Sequence, residues 1–347
     1  MNYETLEKTA QMLVASGKGI LAADESTASA NKRFAALGVE ETEEARRQYR
    51  GLLFGTPRAN TMLSGVILYD ETFWQAADSG KPFRTELAER GILPGIKVDE
   101  GLVDLPGFPD EKVTRGLDGL PERLAKYKSE GAAFAKWRAV VVIGAGTPTD
   151  EAMSANVYAL ARYARLCQEC DIVPIVEPEV LFDGTHDAAT CEQVMTRVFD
   201  LLFAAMRAYR VYLPGAILKT SMVLPGKESC HPIVAEDVAE RTVRVLHEHV
   251  PEELGGVVFL SGGQTSDDAI QNLAAIARKG PHPWGVTFSY SRALQDPVLK
   301  HWAADRGNVV GAQDVFHAML TRASCASHGE ESSKGEGESF VSESQDL

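Results

Sequence analysis

The spacing of its apolar runs constrains this sequence more than any other feature. Eight strand-length runs follow one another, at 19–24, 64–70, 93–99, 134–142, 173–180, 216–223, 256–263 and 284–291, and most begin 28 to 43 residues after the one before. Each interval leaves room for a helix and two loops. Helical periodicity fills the intervals, for example over 41–53, 153–166, 191–208, 235–250 and 266–279. The runs are nearly continuous in apolar residues, the pattern of strands covered on both faces. Eight such units predict an α/β fold whose parallel strands close into a (β/α)8 TIM barrel. An open doubly wound sheet is the alternative. It calls for a Gly-rich fingerprint after its first strand, and the segment GILAADES at 19–26 has none.

Several of these runs carry charge where an apolar strand has no use for it. Lys219 lies within Ala216-Ile217-Leu218-Lys219-Thr220-Ser221-Met222-Val223, a run bounded by Pro214-Gly215 and Pro225-Gly226. A buried ammonium is costly unless paired or neutral. Desolvation and a neighbouring cation both lower a lysine pKa, and a neutral amine attacks carbonyls to give a Schiff base. The plainer reading is that Lys219 pairs with a carboxylate. Glu177 and Glu179 share one face of Val173–Val180 by the two-residue repeat of a strand, and Lys136 and Arg138 share one face of 134–142. Two carboxylates in one site are expected to push one pKa up and make that group a usable acid. The first run ends in Asp24, and Lys97 lies in the third. In a barrel of this kind, active residues gather at the C-terminal ends of strands.

The loops after the seventh and eighth runs are the expected phosphate site of such a barrel. The seventh run ends Ser261-Gly262-Gly263 before a helix, offering bare amides, and the eighth ends Ser291-Arg292, adding a hydroxyl and a guanidinium. A Gly-Gly pair alone is usually just a turn; its place after the seventh run, with Arg292 after the eighth, favours an anion.

The rest of the composition narrows the class. Of 347 residues 44% are hydrophobic and 24% charged, an ordinary globular balance, and the net charge of −14 argues against a nucleic-acid surface. No apolar run is long enough to span a bilayer, and Glu4 and Glu7 break up any secretory signal, so a cytoplasmic protein without membrane partners is expected. Five cysteines fit reduced thiols. Cys167 and Cys170 form a CxxC at a predicted helix end, with no second pair to complete a zinc site. His247-Glu248-His249 is not a zinc-protease motif, since its two histidines diverge on a helix. No metal centre and no cofactor are expected for catalysis. Residues 1–323 are predicted to form the barrel domain. Residues 324–347, with six carboxylates and one lysine, are predicted to form an acidic mobile tail in which only Phe340 and Val341 are sizeable and apolar.

GILAADEST (19–27), GIKVD (95–99), GLDGL (116–120), GAAFAKWR (131–138), VPIVEPE (173–179), ILK (217–219), FLSGGQ (259–264) and TFSYSRALQ (287–295) together resemble class I fructose-1,6-bisphosphate aldolase, in order and spacing, from about residue 6 to 322. The resemblance implies cleavage of fructose 1,6-bisphosphate to dihydroxyacetone phosphate and glyceraldehyde 3-phosphate through a Schiff base on Lys219. It implies Glu177 as the acid/base of carbinolamine dehydration and Asp24 as the carboxylate at the C4 hydroxyl. Lys136 and Glu179 then support proton traffic. It assigns Ser261, Gly262 and Arg292 to the C1 phosphate, with Gly263 and Ser291 as further candidates for binding substrate phosphate. Ser26, Ser29, Lys97 and Arg138 lie near the C6 phosphate, with Arg33 at the mouth. It also implies a homotetramer in glycolysis and gluconeogenesis.

The sequence departs from the family pattern in four places. Thr220-Ser221 stands where Pro-Asn is common, Ser291 and Ala28 stand where glycine is frequent, and the sequence closes on Leu347 rather than the tyrosine that animal members use to protonate the enamine. The last departure implies that another group or water moves that proton, and little contribution from the tail. Two rivals remain at this stage: a relative that also takes sedoheptulose 1,7-bisphosphate, and a non-catalytic sugar-phosphate-binding scaffold. The intact set Asp24, Lys136, Glu177 and Lys219 argues against the scaffold.

Overall fold

The structure is a computed structural model that describes residues 1–330. Its strands are β1 (Gly19–Ala23), β2 (Leu63–Leu68), β3 (Leu93–Lys97), β4 (Leu102–Asp104), β5 (Lys112–Thr114), β6 (Phe134–Val141), β7 (Val173–Val180), β8 (Ile217–Thr220), β9 (Gly256–Phe259) and β10 (Val286–Tyr290). Eight of them close into a parallel barrel in the order β1-β2-β3-β6-β7-β8-β9-β10, with β10 returning to β1. Helices between the strands form the outer layer, as the chain pattern predicts. Among the described residues, the short antiparallel ribbon β4–β5 is a two-stranded sheet absent from the sequence reading. Each of its strands is only three residues long and partly exposed, too short to leave a periodic signal.

Alternate residues of the barrel strands belong to two different cores. Leu21, Ala23, Ala135, Trp137, Val176, Leu218 and Phe259 face outward into the large cluster shared with the helices. Ile20, Ala22, Phe134, Val173, Ile175, Ile217 and Val258 face inward, where Leu6, Ala10 and Leu13 of the helix Tyr3–Leu13 close the barrel's N-terminal end. Both faces are therefore buried, which explains the near-continuous apolar runs. Phe134 fills the axis so tightly that a Cβ on Gly95 would fall 2.3 Å from its ring; only glycine fits there.

The inward face changes character along β1, β6, β7 and β8. Two residues after Ala22 comes Asp24; after Phe134 come Lys136 and Arg138; after Ile175 come Glu177 and Glu179; after Ile217 comes Lys219. The N-terminal half of the lumen is thus apolar and the C-terminal half is ionic. Two strands stop three or four residues sooner than their apolar runs suggest. β8 ends at Thr220 and β9 at Phe259, so 221–223 and 260–263 are loop rather than strand. Burial of Ser221, Met222, Val223 and Leu260 in that loop layer gives them the composition of a strand.

The predicted boundary at 324 needs correction. The last helix runs Val309–Ser327, with Ala323 and Ala326 wholly buried in the outer cluster and Ser324 Oγ donating to Gly17 O at 2.7 Å. Its small residues pack closely, so a segment poor in large apolar groups still has a buried face. The remainder of the predicted tail, 331–347, lies outside the described residues. Ending the chain after Arg322 should therefore lower stability by about 1–3 kcal/mol, through the lost burial of the final helical turn. Ala326→Asp in the full chain should reproduce most of that loss. Unchanged melting temperatures for both would show that this turn does not contribute.

Candidate active site

Four charged groups meet in the upper barrel, and nearly all of their surface is hidden: Lys136, Glu177 and Lys219 are each 3% exposed and Asp24 is 8% exposed. Lys136 Nζ lies 2.6 Å from Asp24 Oδ2 and 3.1 Å from Glu177 Oε2, while Lys219 Nζ lies 3.0 Å from Glu177 Oε1. The four thus form one chain, Asp24–Lys136–Glu177–Lys219, with balanced charge. Such balance is what allows ions to remain charged in a packed interior. These are ionic contacts more than directed hydrogen bonds, and Glu177 Oε2 has no hydrogen-bond partner among the described residues.

The network sets the protonation states. Burial alone would raise the Asp24 pKa, but Lys136 and Lys219 outweigh it and hold Asp24 down at about 2. Burial would likewise raise Glu177, and Lys136 and then Lys219 pull it below its ordinary value. Desolvation would lower Lys136, but Asp24 and Glu177 raise it instead. The expectation that the Glu177/Glu179 pair yields a raised acid is thereby overturned. The two carboxylates do not share one environment: Glu177 sits between two lysines, and Glu179 pairs with the Arg138 guanidinium. The plainer reading of Lys219, a lysine paired with a carboxylate, describes its contact correctly and does not exclude reactivity.

The anion-binding residues fall into two groups. On one side, Leu260 N donates to Thr220 O at 2.9 Å, so the loop after β9 starts directly beside the strand of Lys219. Ser261 is buried, and Gly262 and Gly263 adopt φ of +57° and +100°, a left-handed turn that only glycine takes easily. The helix Ser266–Arg278 follows, capped by Thr265. Arg292 opens the next helix and projects its Nη2 to within 3.5 Å of where a Gly263 Cβ would stand. Arg292 is exposed and has no ion-pair partner among the described residues. Arg292 and the Gly262-Gly263 amides therefore line one open edge of the barrel mouth.

On the other side, the assigned groups are already engaged. Lys97 Nζ binds Asp99 Oδ1 at 2.6 Å and Asp99 O at 2.8 Å, and Arg138 holds Glu179. Arg33 pairs with Glu25 at 2.5 Å and with Asp296 at 2.9 Å. Ser26 caps the helix Thr27–Ala35, accepting from Ser29 N at 3.3 Å and donating to Ser29 Oγ at 3.1 Å. Ser291 differs from its expected place: its hydroxyl donates to Glu25 Oε1 at 2.8 Å, away from the Arg292 edge. A serine side chain reaches the nearest carboxylate here, where glycine would leave only backbone.

Two organising carboxylates escaped the sequence reading. Glu25 receives Arg33, Arg50 at 2.6 Å, Ser291 and Gln295 at 3.0 Å, and Arg50 with Arg33 lowers its pKa against the opposing effect of burial. Asp99 holds Lys97 and also accepts from Gly101 N and Arg138 N. Their signals were the doubled carboxylate Asp24-Glu25 and the terminal Asp of GIKVD.

The family model for class I fructose-bisphosphate aldolase matches residues 5–345. The chain belongs to the class I fructose-bisphosphate aldolase family. It is 49% identical over 318 residues to a probable class 1 fructose-bisphosphate aldolase of Xanthomonas campestris pv. campestris, covering 91% of this chain and 95% of the relative. It is 48% identical over 328 residues to the fructose-bisphosphate aldolase of Plasmodium falciparum, covering 94% and 89%. A solved structure of the Plasmodium falciparum aldolase, in complex with TRAP and a small molecule inhibitor, superposes with a TM-score of 0.94 at 47% identity, covering 95% of this chain and 96% of that one. The (β/α)8 barrel and the Schiff-base chemistry characteristic of class I aldolases therefore apply to this chain.

The depressed Asp24 pKa makes a stability prediction for the aldolase. A carboxyl lowered from 3.8 to about 2 stabilises the folded state fully above pH 4 and loses that contribution as pH falls toward 2. The increment is about 2 kcal/mol. Asp24→Asn should be less stable than wild type by roughly this amount at pH 6, with the gap narrowing below pH 4. Urea unfolding at pH 6 and pH 3 checks it; a gap independent of pH would show that Asp24 is not held by Lys136.

Proposed function

We propose that this aldolase cleaves fructose 1,6-bisphosphate reversibly through a Schiff base on Lys219, with the Asp24–Lys136–Glu177–Lys219 chain as its proton path. The observation that carries this reading is the 3.0 Å contact between Lys219 Nζ and Glu177 Oε1, in a pocket where both are almost wholly buried. Because Glu177 rests as a carboxylate, its first act is that of a base: it takes a proton from the Lys219 ammonium. The neutral amine adds to the C2 ketone, and Glu177 returns the proton to the carbinolamine hydroxyl, which leaves as water. The iminium then draws the electrons of the C3–C4 bond while Asp24 accepts the C4 hydroxyl proton. An enamine remains on Lys219 and the aldehyde departs. Lys136, held against both carboxylates, keeps Asp24 and Glu177 ionised and lets each take up a proton only as substrate charge develops.

The same proposal assigns the C1 phosphate to Arg292 and the amides of Gly262 and Gly263, with Ser261. The C6 phosphate falls to Ser26, Ser29, Lys97 and Arg138, where the incoming dianion competes with Asp99 and Glu179 for the two cations. Arg33 and Ser291 act through Glu25, shaping the wall between the two sites. Sedoheptulose 1,7-bisphosphate keeps both phosphates and differs between them, so the same assignment covers it. We take the assembly as a homotetramer acting in the cytoplasm; among the described residues no helix is long and apolar enough to cross a membrane.

Borohydride added with fructose 1,6-bisphosphate should trap a stable adduct on the peptide containing Lys219, and Lys219→Ala should stay folded without turnover. An adduct mapping to Lys136 or Lys97 would refute the assignment of the nucleophile. For the phosphate, Arg292→Ala should weaken binding of the bisphosphate by about 2 kcal/mol, roughly thirtyfold. The loss should be much smaller for fructose 6-phosphate, which lacks the C1 phosphate. Equal losses on both substrates would move Arg292 out of that site.

A further inference from the structure

Far from the catalytic cluster, two histidines turn their ring nitrogens toward one another. His247 closes the helix Ala235–His249, and His282 lies in the loop that leads into β10, 35 residues further along. His247 Nε2 and His282 Nδ1 are 3.0 Å apart, and His282 Nε2 lies 3.1 Å from Ile276 O. A carbonyl oxygen only accepts, so His282 carries its proton on Nε2 and presents a lone pair at Nδ1. The backbone contact thus fixes the tautomer a metal ligand needs, as carbonyl partners do for ligating histidines generally. His249 takes no part, its Nδ1 being 2.8 Å from Asp200.

We propose that His247 and His282 form a two-imidazole site for a divalent transition-metal ion, outside the catalytic machinery. Two metal–nitrogen bonds of about 2.0–2.1 Å spanning that gap subtend an angle of roughly 95°. Two neighbouring imidazoles suit a tetragonal or octahedral ion, and the Irving–Williams order places Cu2+ highest, with Ni2+ of similar geometry. Water completes the shell, since His247 is exposed. Binding requires His247 to move its proton from Nε2 to Nδ1 through solvent, with no net change in charge on the rings. The surroundings favour a cation: His247 is in the last turn of one helix, and Ile276 O belongs to the last turn of the helix Ser266–Arg278, so two helix C-termini converge on the site. The buried Trp284 stands edge-on to His247 with centroids 5.7 Å apart, close enough to report an ion there. The bound ion would fasten the helix to the loop at the N-terminal end of the barrel, opposite Lys219.

The test is titration of the full-length enzyme with Ni2+ and with Cu2+, followed by calorimetry and by quenching of tryptophan fluorescence. Wild type should bind one equivalent saturably, with quenching that Trp284→Phe removes. His247→Ala and His282→Ala should each weaken binding at least tenfold and abolish the rise in melting temperature that Ni2+ gives wild type. Both variants should keep wild-type aldolase turnover without added metal, which separates this site from the Schiff-base reading. Affinity unchanged in both variants, or no saturable binding by wild type, overturns the proposal.

Discussion

Lys136 is the ion around which the charged end of the barrel is built. It sits against Asp24 on one side and Glu177 on the other, and Glu177 in turn holds Lys219. Remove that cation and two buried carboxylates face one another with a single ammonium to share. Several kcal/mol of desolvation would then be uncompensated, so carboxyls would take up protons and the strands carrying them would lose their fixed spacing. The neutrality of the set lets a packed lumen carry ions without becoming a solvated channel. The apolar plug of Phe134 and the helix Tyr3–Leu13 supports it from below. Each of β1, β6, β7 and β8 thus carries apolar packing at one end and ions at the other.

The mouth of the barrel divides by whether its cations are committed. Lys97, Arg138 and Arg33 each rest on a carboxylate, whereas Arg292 stands beside the Gly262-Gly263 turn with no such partner among the described residues. If the phosphate assignments hold, one phosphate enters a site already open to it, and the other must compete with Asp99 and Glu179. A phosphate dianion with two charges wins that competition more readily than a neutral sugar end, which makes the second site a filter for bisphosphates. Glu25 extends the same logic outward, since Arg33, Arg50, Ser291 and Gln295 converge on it and fix the wall behind Asp24.

Much of this was legible in one dimension. The eight apolar runs located all eight barrel strands, because a strand buried on both faces has few polar positions to obscure it. The two-residue repeat placed Lys136 with Arg138, and Glu177 with Glu179, on one face of each strand. The glycines after the seventh run marked a turn that the structure shows to be left-handed. What the repeat could not give is which neighbour each charge meets. Glu177 and Glu179 look equivalent along the strand, yet one lies between two lysines and the other against Arg138, because β6 and β8 flank β7 in space.

The sequence by itself determined the periodicity, the closed parallel architecture it implies, and which charged residues share a strand face; these follow from local alternation and from the energetic cost of exposing apolar surface. Only the tertiary structure decided the protonation states and the commitments of the charged groups. A pKa depends on distances of a few ångströms between residues far apart in the chain, which is why the expected rise at Glu177 became a fall. The same reason turned Ser291 toward Glu25 and ran the last helix on through Ser327: its small residues gain a buried face only once the neighbouring helices stand against them.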